Sequence, residues 1–173
     1  MANTTFSGPV RSEDGFDVVS KSSTTGAFTT EFSLDGSGLQ VTPITFSDAD
    51  TTLTATANAG RVNVVPAITG NRTITLPSPT AGVWFKFIYG GAAEEAENLI
   101  FDTGSDTNYF IGGVIHLDSN ADNVSVYADG NSNSILTLTD FGLFEINILA
   151  KDSTNWIIWG HQEGADVPAF SDQ

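Results

Sequence analysis

The side chains that most often carry catalysis or bind metal ions are few in this chain and widely spaced. His116 and His161 are its two histidines, and it contains no cysteine. Zinc sites use three or four ligands at recognisable spacings, and neither histidine belongs to a His-x-x-x-His or cysteine pattern. No Gly-x-Ser-x-Gly motif is present, so the sequence predicts neither a metal centre nor a serine nucleophile.

Carboxylates cluster in two predicted loops, where they suggest calcium binding or acid catalysis. Residues 118–123 combine aspartates with asparagines but lack the twelve-residue, helix-flanked calcium pattern, and such clusters more often form turns. Glu94, Glu95 and Glu97 are the densest acidic group, and a glycosidase would need two acids facing each other across a cleft. A solvated loop explains them more simply. We therefore expect no enzyme, no catalytic residue and no cofactor.

Aromatic side chains offer a third chemistry, which is the stacking of sugar rings. Trp156 and Trp159 are three residues apart in a predicted strand, so their side chains point to opposite faces. At least one of them is expected at the surface or at a subunit contact, where an amphipathic ring is useful. Trp84, Trp156 and Trp159 are accordingly candidates for an interface or for glycan binding.

Composition excludes several partners. Six Lys and Arg against 21 Asp and Glu give a formal charge of -15, which repels nucleic-acid phosphates and anionic membrane surfaces. The chain begins without the basic and apolar run of a secretory signal, and no stretch approaches the length of a membrane span. We expect synthesis in a cytoplasm and binding to neither nucleic acid nor membrane.

Period-two alternation of apolar and polar residues recurs from Leu53 to Trp159. Strands are predicted at 53–56, 73–76, 83–89 and 142–150, and Gly, Asn, Asp and Pro separate most of the runs. Residues 151–155 are predicted to form the loop of a final hairpin. Strands separated by turns, without helical periods between them, are typical of an antiparallel β-sandwich or barrel of jelly-roll type.

The first fifty residues differ from the rest because their apolar residues are isolated between Ser, Thr, Gly and Asp. Such spacing supplies anchors without a self-sufficient core, and turn signals exclude a long helix. The sequence thus predicts an extended attachment arm over 1–50, a β domain over 51–160 and an acidic tail over 161–173. The candidate anchors of the arm are Phe6, Pro9, Val10, Phe16, Val18 and Val19.

Three stretches resemble proteins of tailed-bacteriophage virions. The opening MANTTFSGPVRSEDGF resembles the start of small virion structural proteins, especially those of phages of marine hosts. The later RTITLP, the segment 82–89 and the closing NWIIWG are similar to β modules of phage decoration and fibre proteins. The resemblance to capsid decoration, or cement, proteins implies a jelly-roll-like domain on the outer shell, commonly a homotrimer, with arms that bind the major capsid protein.

The leading hypothesis is therefore a non-enzymatic decoration protein that stabilises a phage capsid from its outer surface. In physical terms, apolar anchors fill shallow pockets, extended backbone adds to neighbouring strands, and the symmetry of a trimer multiplies weak contacts. Two alternatives remain open, namely a phage fibre or receptor-binding component and a carbohydrate-binding β-sandwich module. A glycosidase ranks last because the acids are scattered.

Overall fold

The structure is a computed structural model that describes residues 16–35, 38–118 and 123–173. The chain divides into two compact units, residues 1–42 and residues 43–173. Nearly all regular structure in the described residues is β-strand, which confirms the all-β prediction. No helix in these ranges is long and apolar enough to cross a membrane.

The first unit contains a three-stranded antiparallel sheet with the order β1-β2-β3. The strands are β1 (Phe16–Lys21), β2 (Phe28–Asp35) and β3 (Gly38–Gln40). Ser22 begins the turn after β1, because its hydroxyl accepts hydrogen bonds from the N–H groups of Thr24 and Thr25 at 3.3 and 3.1 Å. Of the predicted arm, residues 16–35 and 38–40 are thus paired into a sheet of their own, whereas the strand Ile44–Thr45 within its last residues pairs with the strand Val62–Val65 of the second unit.

The second unit consists of two mixed sheets. One has seven strands in the order β11-β10-β14-β13-β8-β6-β4, and the other has five in the order β15-β12-β9-β7-β5. The elements are β4 (Ile44–Thr45), β5 (Thr51–Thr52), α1 (Ala55–Asn58), β6 (Val62–Val65), β7 (Arg72–Thr75), β8 (Trp84–Tyr89), β9 (Leu99–Asp102), β10 (Tyr109–Leu117), β11 (Val124–Tyr127), β12 (Ile135–Leu138), β13 (Phe141–Ala150), β14 (Asn155–Gly164) and β15 (Ala169–Ser171).

The prediction of antiparallel sheets is wrong for half of this unit. Five of its ten described strand pairs are parallel, namely β4 with β6, β6 with β8, β5 with β7, β7 with β9, and β10 with β14. From β4 to β10 each successive strand lies in the opposite sheet. Because the chain crosses between sheets instead of turning back within one, every second strand runs in the same direction.

The two sheets share one core of aromatic and aliphatic side chains. Phe87 of β8 meets Phe101 of β9 edge to face at a centroid distance of 4.9 Å, and Phe101 also packs against Phe144 of β13 at 6.3 Å. Trp156 of β14 is buried beside Phe85, with ring centroids 5.9 Å apart. Successive side chains of a strand point to opposite faces of the sheet, so the residues between these core positions lie on the outer faces.

Two segments differ from their predicted form. The alternation at 53–56 predicts a strand, but α1 begins at Ala55 because the Thr54 side chain accepts from the Ala57 N–H at 3.2 Å. Residues 161–173, predicted as a loose tail, lie in both sheets, since β14 continues to Gly164 and β15 pairs with β12. The predicted hairpin is confirmed, with β13 and β14 antiparallel around a turn that the Asp152 carboxylate caps.

Glycine permits the close approach of backbone on both sides of β14. Gly160 has a φ of 151°, and a Cβ there would lie 2.0 Å from the carbonyl oxygen of Glu145 on β13. Gly112 of β10, with a φ of 107°, would place a Cβ 2.3 Å from the carbonyl oxygen of Ile158. Neither backbone conformation suits a residue with a side chain. These positions therefore require glycine.

Truncation of the central ring should destabilise the second unit strongly. Phe101 is fully buried and packs against aromatic rings of the facing sheet. We expect Phe101→Ala to lower the free energy of unfolding by about 3–5 kcal/mol in urea titrations. Leu143→Ala, at a side chain that is 55% exposed, is the control and should change it by about 0.5 kcal/mol or less. A change of less than about 1 kcal/mol in the free energy of unfolding for Phe101→Ala would contradict a core shared by the two sheets.

Candidate functional site

The histidines occupy neighbouring positions on opposite faces of the seven-stranded sheet. The parallel register of β10 and β14 pairs His116 with Gln162 and Ile115 with His161. His116 is buried, with its Nε2 2.9 Å from the carbonyl oxygen of Gly164, whereas His161 lies on the outer face. Within the described ranges no group of three or more His, Asp or Glu is placed to hold a metal ion.

The glutamates of the 94–97 loop make structural contacts. The Glu94 carboxylate accepts from the N–H of Ala165 at 2.6 Å. The Glu95 carboxylate accepts from the hydroxyl of Tyr89 and from the N–H of Ile68. Burial and the neighbouring Glu95 raise the pKa of Tyr89 above its usual range. Glu94 thus links this loop to the segment after β14, Glu95 links it to β8 and to the segment after β6, and Glu94 also borders a cavity of about 510 Å³ at one end of the sheets.

Two carboxyl groups that the sequence analysis did not single out, those of Asp140 and Asp166, lie close together. Asp140, which precedes β13, hydrogen-bonds to Asp166 through their side chains. Burial, that hydrogen bond and the negative charges of Asp166 and Glu94 raise the pKa of Asp140. The pair joins the β12–β13 turn to the segment after β14, two places far apart in sequence, so local spacing gave no signal for it.

The predicted arm anchors are only partly within the described ranges. Phe6, Pro9 and Val10 lie outside them, as do residues 119–122 of the candidate calcium loop. Phe16, Val18 and Val19 are positions of β1, and the Val19 side chain is 47% exposed. At the other side of the same hairpin Phe28 is 67% exposed, and the ammonium group of Lys21 lies 5.5 Å from the centre of its ring.

The three tryptophans divide between core and surface as strand alternation indicates. Trp156 is fully buried and is therefore a core residue, not an accessible glycan platform. Trp84 and Trp159 are 43% and 47% exposed on the outer face of the seven-stranded sheet. This face holds two distinct features, which are described in turn.

The first feature is an apolar row across four neighbouring strands. The register places Ile111 of β10 beside Ile157 of β14, Ile157 beside Leu149 of β13, and Leu149 beside Trp84 of β8. All four side chains remain at least partly exposed. A contiguous apolar strip on a sheet face marks a surface that another protein can cover. We call these four residues the apolar row.

The second feature is a groove of about 470 Å³ on the same face, here called the aromatic groove. The register sets Gly113 of β10 between Tyr127 of β11 and Trp159 of β14, and sets Trp159 beside Asn147 of β13. Tyr127 is 72% exposed. The residues that line the aromatic groove are Gly113, Val114, Ile115, Ser125, Tyr127, Glu145, Asn147, Trp159, Gly160 and His161.

Glycine forms the floor of the aromatic groove for a steric reason. A Cβ at Gly113 would lie 2.9 Å from Cδ1 of Tyr127 and 2.2 Å from the carbonyl oxygen of Val126. The tyrosine ring thus leans over the glycine, and no side chain at Gly113 fills the space between Tyr127 and Trp159. Adjacent strands are about 4.8 Å apart, so the Cα atoms of the two aromatic residues are about 10 Å apart.

Polar side chains line the β13 side of the aromatic groove. Glu145 forms an ion pair with Lys86 at 2.8 Å and accepts a hydrogen bond from the Asn147 amide at 3.2 Å. These two hydrogen bonds, with the positive charge of Lys86, lower the pKa of Glu145, so its carboxylate is ionised at neutral pH. The groove therefore combines two aromatic faces with a carboxylate, an amide and the imidazole of His161.

Such a surface can bind a ligand, and its carboxylate is oriented by Lys86 and Asn147. No protein-family model matches this chain, and no curated protein matches it significantly.

Removing the charge of Asp140 should stabilise the protein at neutral pH. Its raised pKa means that the ionised carboxylate opposes folding above that pKa, and that this cost vanishes below the ordinary value of 3.8. Asparagine keeps the shape and tolerates the φ of 40° at this position. We expect Asp140→Asn to raise the midpoint of thermal unfolding at pH 7 and to leave it unchanged at pH 3.

Asp129 is the matched control, because its pKa is lowered where that of Asp140 is raised. The N–H groups of Asn131, Ser132 and Asn133 and the hydroxyl of Ser132 donate to its carboxylate and hold its pKa below the usual range. The ionised Asp129 carboxylate therefore stabilises the folded state above pH 3.8, and this contribution is lost as the pH falls through the lowered pKa. Asp129→Asn should therefore lower the midpoint at pH 7, and a shift in the same direction for both variants would contradict the assignment.

Proposed function

We propose that this chain is a non-enzymatic virion structural protein that binds the outer surface of a tailed-phage capsid and stabilises the shell. The observation that carries the proposal is the division into a large β unit with its own core and a small unit with exposed apolar side chains. The resemblance of the opening residues to small virion proteins supports the same role. The jelly-roll form that this resemblance implies stays a prediction.

The large unit offers little for strand addition. The edge strands of its two sheets are β4 and β11 in one and β5 and β15 in the other, and each is only two to four residues long. Short edge strands limit backbone pairing with other chains. A neighbouring chain would therefore find few backbone groups to pair with on this unit.

The small unit has the properties of an attachment element. Its β1 is six residues long and is an edge strand among the described residues. Val19 and Phe28 expose apolar surface on the same hairpin. Burying one such side chain in a shallow pocket contributes about 1.5–3 kcal/mol, and strand addition along β1 would supply backbone hydrogen bonds. We propose the major capsid protein as the partner of this unit.

A homotrimer would make these contacts durable. Once one subunit is bound, its companions are held near the shell, so the later contacts form at a high effective concentration. The apolar row supports a subunit contact, because Ile111, Ile157, Leu149 and Trp84 form a continuous strip that a second copy would remove from water. The row contains no charged residue, so this contact brings no carboxylates of the two chains together, although each chain carries a formal charge of -15.

Removing residues 1–42 should abolish attachment while leaving the large unit folded. Every residue of the hydrophobic core lies between Leu53 and Ile158, so the remaining chain keeps its core. We expect the truncated protein to unfold cooperatively but to stop co-sedimenting with emptied shells of the phage that encodes it. Undiminished binding would contradict the role of the small unit.

Phe28→Ser tests the same contact without removing the unit. Loss of one exposed aromatic anchor should weaken shell binding about tenfold or more, and Leu143→Ser, at an exposed apolar position of the large unit, is the control. Electron microscopy of the mixture gives the location directly. Density at the tail instead of on the shell would contradict decoration and favour the fibre alternative.

A charge in the apolar row should prevent trimer formation. Trp84→Asp places a carboxylate where subunits would pack, while its partly exposed position lets the free chain fold. We expect sedimentation velocity to show trimers for the unaltered protein and monomers for Trp84→Asp. Trp159→Ala, at a similarly exposed tryptophan outside the row, should remain trimeric. A monomeric unaltered protein would contradict this part of the proposal.

A further inference from the structure

We propose that the aromatic groove is a binding site for neutral oligosaccharides. This inference goes beyond attachment to a shell and does not depend on it, because the small unit supplies none of the residues involved. Three properties of the groove support the assignment, namely the arrangement of its aromatic rings, the hydrogen-bonding groups beside them, and its charge.

The aromatic rings provide the apolar half of sugar recognition. A pyranose presents C–H groups on its faces, and these pack against aromatic rings while the hydroxyl groups stay at the rim. Tyr127 and Trp159 lie on either side of Gly113, with the tyrosine ring over the glycine, at a Cα separation of about 10 Å. Both rings are accessible, since Tyr127 is 72% and Trp159 is 47% exposed. A chain of sugar units can therefore contact both without displacing other side chains.

The polar residues provide the other half. Sugar hydroxyls donate and accept, so their burial requires protein groups that do both. Glu145 and Asn147 are held in place by the ion pair with Lys86 and by their mutual hydrogen bond, yet each oxygen keeps lone pairs for a ligand. His161 pairs in register with Glu145, and no hydrogen bond among the described residues engages its imidazole. The rim thus offers both acceptors and donors.

The carboxylate and the amide make another protein surface an unfavourable ligand for the aromatic groove. A flat apolar partner would cover the carboxylate and the amide without satisfying them, which costs free energy. The apolar row, which carries no such groups, is better suited to that purpose. The formal charge of -15 disfavours acidic sugars such as uronates and sulfated chains. Neutral oligosaccharides remain as the ligand class.

Isothermal titration of the full chain with a panel of neutral hexasaccharides tests this assignment. Maltohexaose, cellohexaose, laminarihexaose, mannohexaose and chitohexaose are the probes. At least one should bind with a Kd between about 10 µM and 1 mM, as expected for a shallow open site. Trp159→Ala and Tyr127→Ala should each weaken that binding about tenfold or more. Tyr127 is so exposed that its truncation leaves the fold intact, which keeps the test valid if Trp159→Ala is poorly folded.

Trp84→Ala is the matched control, because Trp84 lies on the same sheet face with nearly the same exposure but outside the groove. Trp84→Ala should therefore bind as the unaltered protein does.

Three results would overturn the proposal. They are the failure of every hexasaccharide to bind, an equal loss for Trp84→Ala, and dissociation of an oligomer by Trp159→Ala or Tyr127→Ala. The last result would make the aromatic groove a contact between copies. Loss of shell binding on removal of 1–42, with sugar binding retained, would instead separate this site from the attachment proposal.

Discussion

The interaction on which the structure depends is the packing of phenylalanine rings between the two sheets of the large unit. With no cysteine available, no disulfide can restrain the unfolded chain, and hydrophobic burial together with strand pairing must supply the stability. Phe87, Phe101 and Phe144 meet at the centre of this layer. Because alternate residues of each strand fill the core, the remaining residues are committed to the outer face, where both the apolar row and the aromatic groove arise.

The alternating pattern predicts where strands lie but not how they run. Residues 142–150 and 155–159 are predicted as strands, and β13 and β14 form there as a hairpin. A crossing to the opposite sheet and a return within the same sheet both need only a turn, however, so the parallel pairs leave no local trace. The Thr54 cap that begins α1 shows a second limit, since one side-chain hydrogen bond overrides a four-residue alternation. Glu94 and Glu95 are likewise predicted as solvated loop residues, and their backbone hydrogen-bond partners leave no signal in the local sequence.

The candidate site was predictable only in part for the same reason. Strand alternation correctly separates Trp156 from Trp159, because it depends on the backbone of one strand. Tyr127 and Gly113 join Trp159 through the pairing of β11 with β10 and of β10 with β14, which brings together residues up to 46 positions apart. The register between these strands cannot be read from the spacing of residues in the sequence. The small unit, by contrast, was expected to be extended, and its three strands show that isolated apolar residues suffice for a sheet of this size.

Gly112 of β10 and Gly160 of β14 have a consequence for folding fidelity. Gly112 and Gly160 each meet a carbonyl oxygen of the neighbouring strand at a distance that excludes a Cβ atom. If β14 slipped by one residue against β13, Trp159 or His161 would take the place of Gly160 and collide with the backbone of β13, and every inward side chain would turn outward. Gly160 therefore permits the observed alignment of β13 with β14 and disfavours the two nearest shifted ones.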